Sequence, residues 1–221
     1  MTQLSQRGPH TVATRAVTIL PDHFALPGTL AMPTDAVGVV AFAHGSGSGR
    51  LSPRNLQVAR ALNDARLGTL LFDLLTPEEA DDRRNVFDVP LLAGRLSAAV
   101  EWLRWQPEAH HVPVGLFGAS TGAAAALWAA ADLREAIRAV VSRGGRPDLA
   151  GARLGEVAAP TLLIVGSRDD VVLELNRGAL RELRCPASLE VVPGATHLFE
   201  ERGALEQVAD LAAAWFVDHL T

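Results

Sequence analysis

The sequence predicts an α/β fold, with a mostly parallel eight-stranded sheet and helices on both faces. After residue 37, short apolar runs alternate strictly with helical stretches. These runs are apolar throughout, which is typical of parallel strands that are buried on both faces. Two extended runs precede them with no helix between, so we expect an antiparallel hairpin at the start. The 221 residues predict a single domain over 1–221 with a substantial core.

The hairpin is predicted from Thr11–Leu20 and Phe24–Met32, joined by the turn residues Pro21-Asp22-His23. Pro27-Gly28 predicts a bend in the second strand, because proline and glycine interrupt regular pairing. The remaining predicted strands are Val37–Ala43, Thr69–Asp73, Val114–Phe117, Ala139–Val141, Thr161–Val165 and Ser188–Val192. The predicted helices are Pro53–Ala65, Pro90–Trp105, Thr121–Ala131, a short Leu149–Val157, Leu173–Leu183 and Gly203–His219.

Two features outside this pattern carry further expectations. The charged segment Leu75–Val89 is predicted to be a solvated surface loop, with shielding of a site as the alternative. Trp102 and Trp105 lie three residues apart on one predicted helix, which favours packing in the core over a cofactor contact.

The composition excludes several classes of protein. A net charge of −5 without a basic cluster argues against nucleic acid as a partner. All 20 basic residues are arginine, so a phosphate loop with its lysine and a Schiff-base or pyridoxal-phosphate lysine are excluded in their usual form. The absence of tyrosine excludes the usual tyrosine–lysine dehydrogenase chemistry. Cys185 is the one cysteine, so no internal disulfide or cysteine metal cluster can form.

No cofactor and no membrane partner are expected. The histidines show no metal-ligand spacing. The start, MTQLSQRGPH, lacks the apolar core of a signal peptide, and the longest run of small apolar residues, Ala123–Ala131, is too short to span a bilayer. A cytoplasmic location is therefore predicted.

The most specific motif is Gly118-Ala119-Ser120-Thr121-Gly122, a GxSxG sequence between an apolar strand and an alanine-rich helix. This context is typical of a nucleophile elbow, in which a sharp turn needs glycines at the flanks and presents the serine hydroxyl above the sheet. The alternative is a tight strand-to-helix turn in which Ser120 only caps the helix.

A serine hydroxyl needs a base, and the base needs an orienting carboxylate. Asp169 and Asp170 directly follow one predicted strand, and His197 follows the next. The chain order serine, acid, histidine is the one expected for this arrangement. We predict a triad of Ser120, Asp169 and His197, with Asp170 as a solvated or helix-capping neighbour.

The glycine-rich stretch at 43–50, AHGSGSGR, lies at another strand-to-helix turn. Its glycine spacing, GxGxG, does not match the dinucleotide-binding GxGxxG pattern. A tetrahedral oxyanion on Ser120 would need backbone N–H donors. We assign them to Ser46, with Gly47 as the alternative, and to Thr121. His44 is expected to fix this loop, with a catalytic role as the less favoured alternative.

These motifs, HGSGSG at 44–49, GASTG at 118–122, GSRD at 166–169 and GATH at 194–197, resemble the α/β-hydrolase superfamily over nearly the whole chain. The compact plan is similar to the dienelactone hydrolase branch. Those enzymes typically use cysteine where this chain has Ser120, and the serine suggests ordinary ester chemistry. Members of the superfamily tend to carry a lid after the sixth strand, but the segment 141–161 is too short for a full lid domain.

The sequence therefore predicts a serine hydrolase that cleaves carboxylic esters or lactones of small soluble substrates. Arg143 and Arg146 flank two glycines past a strand end and are candidates for binding a substrate carboxylate, together with Gly47. The alternative is that at least one of the two arginines is a surface or structural ion-pair residue. Acyl transfer, thioester or amide cleavage on the same triad, a non-catalytic binding protein and a homo-oligomer stay open.

Overall fold

The computed structural model describes residues 11–20 and 24–221, and its strands form one eight-stranded sheet. The strands are β1 (Val12–Ile19), β2 (Leu26–Pro33), β3 (Gly38–Ala43), β4 (Leu67–Phe72), β5 (Val114–Ala119), β6 (Ile137–Arg143), β7 (Thr161–Gly166) and β8 (Ala187–Val192). They lie in the order β1-β2-β4-β3-β5-β6-β7-β8. β2 pairs antiparallel with β1 and β4, and all other neighbours are parallel. The predicted mostly parallel sheet is confirmed.

Seven α-helices accompany these strands in the described residues. They are α1 (Pro53–Asp64), α2 (Pro77–Ala80), α3 (Arg83–Val86), α4 (Val89–Arg104), α5 (Thr121–Leu133), α6 (Asp170–Glu182) and α7 (Ala204–Leu220). α1 and α7 pack on one face of the sheet, and α4, α5 and α6 pack on the other. None of the described helices is both long enough and apolar enough to cross a membrane. The predicted turn Pro21-Asp22-His23 and the segment 1–10 lie outside the described residues.

The central strands set where the site lies. β3, β5 and β7 are buried along their whole length, because helices cover both faces. α5 is almost wholly buried and begins with a run of small residues, 122–126. In such a sheet the carboxyl ends of the parallel strands meet at one edge, so the loops after β3, β5, β7 and β8 are neighbours.

One prediction about a single residue was wrong, and one predicted helix has a different geometry. Trp105 is 82% exposed and not part of the core, because α4 ends at Arg104 and Trp105 follows the helix as its C-cap residue. Trp102 packs partly buried against the core, as expected. The predicted helix Leu149–Val157 is a 3₁₀ stretch, Pro147–Glu156, because Gly151 adopts φ 53° and interrupts helical geometry.

β6 is longer than predicted and runs as far as Arg143. Between β6 and β7, the residues 144–160 hold only the 3₁₀ stretch. The absence of a full lid domain in this segment agrees with the predicted fold class.

The segment 75–89 lies largely exposed at the surface, as the sequence favoured, but it is not an irregular loop. It contains the two one-turn helices α2 and α3. Thr76 and Glu79 cap α2 reciprocally, and Glu79 also pairs with the buried Arg95 of α4 at 3.0 Å. These contacts tie the segment to the body of the protein, because a capping box and a partly buried ion pair both fix backbone position. We call residues 76–88 the strap.

Candidate active site

Ser120 lies at the turn between β5 and α5 with φ 52°, a left-handed conformation that is strained for a non-glycine residue. A Cβ at Gly118 would lie 2.4 Å from Ala123 Cα, and one at Gly122 would lie 2.2 Å from the carbonyl oxygen of Ala43. The turn therefore requires glycine at both positions, as a nucleophile elbow does. The Ser120 side chain makes no capping hydrogen bond to α5, so the helix-capping alternative is not observed.

The carboxylate of Asp169 bonds to the His197 ring. Nδ1 of His197 lies 2.6 Å from Oδ2 of Asp169. Asp169 is mostly buried, and although it occupies the N-cap position of α6 it makes no capping bond, so its carboxylate is free for the imidazole. Asp170, the alternative acid, is the first residue of α6 and is exposed.

The loops that carry these two side chains are bonded to each other. Arg168 N–H donates to the carbonyl of Ala195 at 2.9 Å. A Cβ at Gly166 would lie 2.3 Å from the same carbonyl oxygen, so the close approach depends on glycine. Thr196 donates from both N–H and Oγ1 to Glu201, at 3.1 and 2.7 Å. His197 is thus held from both sides of its loop.

Ser120 and His197 line one cavity of about 230 Å³, together with Ser46, Asn55 and Arg143. We call it the nucleophile cavity. Among the described residues, no hydrogen bond joins the Ser120 hydroxyl to His197, and the ring is bonded through Nδ1 alone. Nε2 is therefore available for proton transfer, and such bonds often close only when substrate binds.

The two predicted oxyanion donors are side by side. Ser46 N–H donates to Oγ1 of Thr121 at 2.9 Å. Thr121, whose hydroxyl accepts this bond, also carries the second predicted donor, its own backbone N–H. The bond therefore holds the glycine-rich loop against the first turn of α5. Gly47, the alternative donor, is exposed with φ 66°, a conformation that favours glycine.

His44 fixes the base of the same loop through both ring nitrogens. Nδ1 lies 3.0 Å from the carbonyl of Gly45, and Nε2 accepts from Leu74 N–H at 3.1 Å. Burial lowers the pKa of His44, although the Gly45 carbonyl and the Asp73 carboxylate oppose this. A neutral imidazole suits the geometry, since Nε2 must accept a hydrogen bond.

Arg143 and Arg146 occupy different environments. Arg146 forms two hydrogen bonds at 2.8 Å to Asp148, and these raise the pKa of Arg146. Arg146 is therefore a structural ion-pair residue, the alternative that the sequence left open for at least one of the two arginines. Arg143 is the last residue of β6, only 7% exposed, and lines the nucleophile cavity. The sequence placed it past the strand end, whereas the longer β6 holds its backbone inside the sheet.

A second, larger cavity of about 640 Å³ adjoins the first, and the sequence did not predict it. Ser46 and Thr121 line it on one side, and strap residues line it on the other. Its apolar wall is formed by Leu75, Pro77, Ala80, Val86, Phe87 and Leu92. We call it the strap cavity. Two features of the sequence could have indicated this cavity: the apolar residues interspersed in the charged strap and the Thr-x-x-Glu capping pattern at 76–79.

Within the residues that the structure describes, no group of three or more His, Cys, Asp or Glu side chains is arranged to hold a metal ion. Cys185 is partly buried, and burial raises the pKa of its thiol. A raised thiol pKa disfavours the reactive thiolate. The environment of Cys185 therefore favours a structural thiol over a reactive one.

Comparison with known proteins adds the family. The family model described as "Dienelactone hydrolase family" matches residues 63–217. The crystal structure of a dienelactone hydrolase from Anabaena variabilis is 51% identical, with a TM-score of 0.93, and the match covers 96% of this chain and 100% of that one. Est1E from Butyrivibrio proteoclasticus is 17% identical with a TM-score of 0.78, covering 92% of this chain and 98% of that one, which shows the fold alone.

Two Mycobacterium tuberculosis sequences, each named "Putative phosphoribosyl transferase", are 63% identical over 193 residues. The match covers 87% of this chain but 44% of theirs, so the chain spans less than half the length of these curated relatives. The hydrolase family model covers most of the chain, and the Anabaena structure matches nearly all of it. The chain belongs to the dienelactone hydrolase family.

Proposed function

We propose that this protein is a serine hydrolase that cleaves carboxylic esters or lactones of small soluble substrates through an acyl-enzyme on Ser120. One observation carries the proposal: the 2.6 Å contact of His197 with Asp169 lies at a cavity that the strained Ser120 also lines. A base oriented by a mostly buried carboxylate, beside a serine at an elbow turn, is the arrangement that acyl transfer needs.

In the first half-reaction, Ser120 Oγ attacks the carbonyl carbon while Nε2 of His197 takes the hydroxyl proton. The carbonyl oxygen becomes an oxyanion, which the N–H groups of Ser46 and Thr121 stabilise. The bond between the carbonyl carbon and the ester oxygen then breaks. His197 gives its proton to the departing alcohol, and Ser120 keeps the acyl group.

In the second half-reaction, water attacks the acyl-enzyme while His197 takes one of its protons. The second oxyanion collapses, and the bond to Ser120 Oγ breaks. The proton returns to Ser120 and the carboxylic acid leaves. Asp169 stabilises the imidazolium in both halves through its bond to Nδ1, because a mostly buried carboxylate interacts strongly with a neighbouring cation.

The oxyanion assignment rests on the contact of Ser46 N–H with Thr121 Oγ1. A substrate oxyanion is a stronger acceptor than a neutral hydroxyl, so it would draw the Ser46 N–H away from Thr121 Oγ1. The loop needs no large movement for this exchange, because both donors already lie beside the elbow.

We carry hydrolase chemistry to this chain from its family, and not the transferase named for the Mycobacterium tuberculosis sequences. More than half of those longer proteins lies outside the match. Acyl transfer, thioester or amide cleavage would use the same Ser120 acyl-enzyme with a different acceptor or leaving group. We propose a small-molecule ester as the binding partner, because the two cavities are of small-molecule size.

The test is labelling with a fluorophosphonate, followed by intact-mass measurement and peptide mapping, with turnover of p-nitrophenyl acetate and butyrate measured on the same samples. We expect one label per chain on Ser120 together with ester turnover, and neither in Ser120→Ala. Ser97→Ala, a substitution on α4 away from the site, should label normally. No label on the folded wild type would overturn the proposal and favour a binding protein.

A further inference from the structure

Arg143 is a buried cation that lines the nucleophile cavity together with Ser120. Its side chain is 7% exposed, and among the described residues its guanidinium forms no ion pair. Nη2 donates to the neutral amide oxygen of Asn55 at 3.3 Å, and the buried Nε has no hydrogen-bond partner. Phe199 lies 5.9 Å away under the guanidinium. An uncompensated buried charge is costly, so the arrangement favours an anion that arrives from outside.

The backbone of Arg143 is fixed to that of Ser120, whose N–H donates to the Arg143 carbonyl at 3.2 Å. The cationic side chain thus has a defined position relative to the reacting serine. Burial and the nearby Arg54 lower the pKa of Arg143 to about 10, which leaves it charged at neutral pH.

A second wall of the nucleophile cavity also suits an anion. It is formed by the N-terminus of α1, a helix of 12 residues, and by the preceding loop. Ser48, Ser52, Arg54 and Asn55 lie on this wall. Arg54 has a loose, half-exposed ion pair with Glu200 at 3.4 Å. A helix N-terminus carries partial positive charge, which favours phosphate oxygens; in α1 the Asn55 N–H is already bonded to Ser52 Oγ at 3.4 Å and Pro53 has no N–H, so the contribution is mainly that of the charge.

The position of His197 tells which part of an ester occupies this cavity. The histidine must reach the oxygen of the leaving alcohol to protonate it. His197 lines the cavity that contains Arg143, whereas the strap cavity is bordered by the predicted oxyanion donors and not by His197. The leaving group therefore points toward Arg143, and the acyl group points under the strap.

We infer that Arg143, with Arg54 and the N-terminus of α1, binds a phosphate monoester on the alcohol part of the substrate. This inference rests on the proposed function and names its substrate class: acyl esters of phosphorylated alcohols. A phosphate has three terminal oxygens and up to two negative charges, which matches two cations and several hydroxyl and amide donors better than a planar carboxylate does. The phosphate is a recognition element, and its P–O bonds stay intact while the acyl C–O bond breaks.

The experiment compares kcat/KM for four esters. Butyryloxyethyl phosphate carries the phosphate on the alcohol, butyryloxypropanoate carries a carboxylate there, methoxyethyl butyrate is neutral, and ethyl phosphonopropanoate carries its anion on the acyl side. We expect wild type to favour the first ester, and Arg143→Gln to lose roughly 100-fold in kcat/KM on it relative to the neutral ester. Arg54→Gln should lose roughly 10-fold.

Arg138→Gln is the matched control. Arg138 lies on the same strand, exposed near its opposite end, and should leave the preference unchanged. Thermal melts of each variant show whether it folds, and Arg54→Gln tests the site even where Arg143→Gln does not fold. The inference is wrong if wild type shows no preference for the phosphate ester, prefers the carboxylate ester or the acyl-side anion, or keeps its preference in Arg143→Gln.

A second measurement separates this inference from the proposed function. Hydroxyethyl phosphate, the alcohol product, can be titrated into wild type and Arg143→Gln by calorimetry without any catalytic step. Binding that Arg143→Gln weakens supports the anion site even where fluorophosphonate labelling and turnover fail. Labelling and turnover of neutral esters, without any binding of hydroxyethyl phosphate, would support the hydrolase and overturn the phosphate site.

Discussion

The two cavities that meet at the glycine-rich loop are built from different parts of the chain. The nucleophile cavity is formed mainly by residues at the carboxyl ends of buried strands and in the loops that follow them. The strap cavity is closed by two one-turn helices in a charged surface segment. The position of the nucleophile cavity is fixed by the central sheet, because its residues are attached to that sheet. The shape of the strap cavity depends on the few contacts that anchor the strap.

The two cavities are therefore expected to differ in role: the nucleophile cavity holds the reacting groups, and the strap cavity selects among acyl chains. The triad residues Ser120, Asp169 and His197 are groups that every substrate would need, so changing them should affect all esters alike, whereas Arg143 in the same cavity is proposed to act on anionic esters alone. Residues of the strap contact only what lies beyond the reacting carbonyl, so changing them should affect some substrates and spare others. Variants that fail to follow this division would break the comparison.

The largest effect is expected from Asp169→Asn. The amide would disfavour the tautomer and the charged state that His197 needs, so kcat should fall by about four orders of magnitude on every ester. The measurement is steady-state turnover of acetate, butyrate and hexanoate esters. Asp170→Asn, at the adjacent exposed position, is the control and should stay within about twofold of wild type. Equal losses in both variants would show that Asp169 has no special role.

A smaller and selective effect is expected from Ala80→Trp, which places an indole at the strap cavity. Hexanoate turnover should fall roughly 10- to 100-fold relative to acetate, because the pocket for the acyl chain shrinks while the triad is untouched. Phe87→Ala should shift the ratio the other way. Arg84→Trp adds the same ring to the strap at a position that is 91% exposed and does not line the cavity. The ratio of hexanoate to acetate turnover in Arg84→Trp should match that of wild type. An unchanged ratio in Ala80→Trp would show that the acyl group does not lie in the strap cavity.

The smallest effect concerns His44, which borders the strap cavity and fixes the loop between the two cavities. Its pKa is lowered in the folded state, so below the ordinary value of 6.5 the unfolded chain binds more protons than the native protein. Stability should therefore fall as the pH drops through that value toward the native pKa. Between about pH 7.5 and about pH 5.5, we expect wild type to lose roughly 2–4 °C more in Tm than His44→Gln does.

His110→Gln replaces an exposed histidine far from the loop and is the control for this pH series. Its Tm should follow the wild-type curve. If His44→Gln loses as much Tm as wild type over the same range, the imidazole is not a buried neutral link in the loop.

Much of the candidate site could be predicted because its residues follow local rules. Gly118 is required by the turn itself, because a Cβ there would meet Ala123 of the same turn, whereas Gly122 is required by the close approach of the Ala43 carbonyl from the neighbouring strand. Asp169 and His197 could be paired from chain order, because parallel strands bring their carboxyl ends to one edge. The environment of Arg143 could not be predicted in this way. It depends on how far β6 extends and on which side chains surround the guanidinium across the sheet.

By itself, the sequence determined the parallel sheet, the elbow and the three residues of the predicted triad, since apolar runs, glycine positions and strand-end loops act over short distances along the chain. Only the tertiary structure decided that Arg146 is paired with Asp148 while Arg143 has no ion pair within the described part of the chain, that Ser46 N–H contacts Thr121, and that the strap closes a cavity. The physical reason is that charge compensation and cavity shape depend on groups far apart in sequence, whose distances are set when the helices and strands pack.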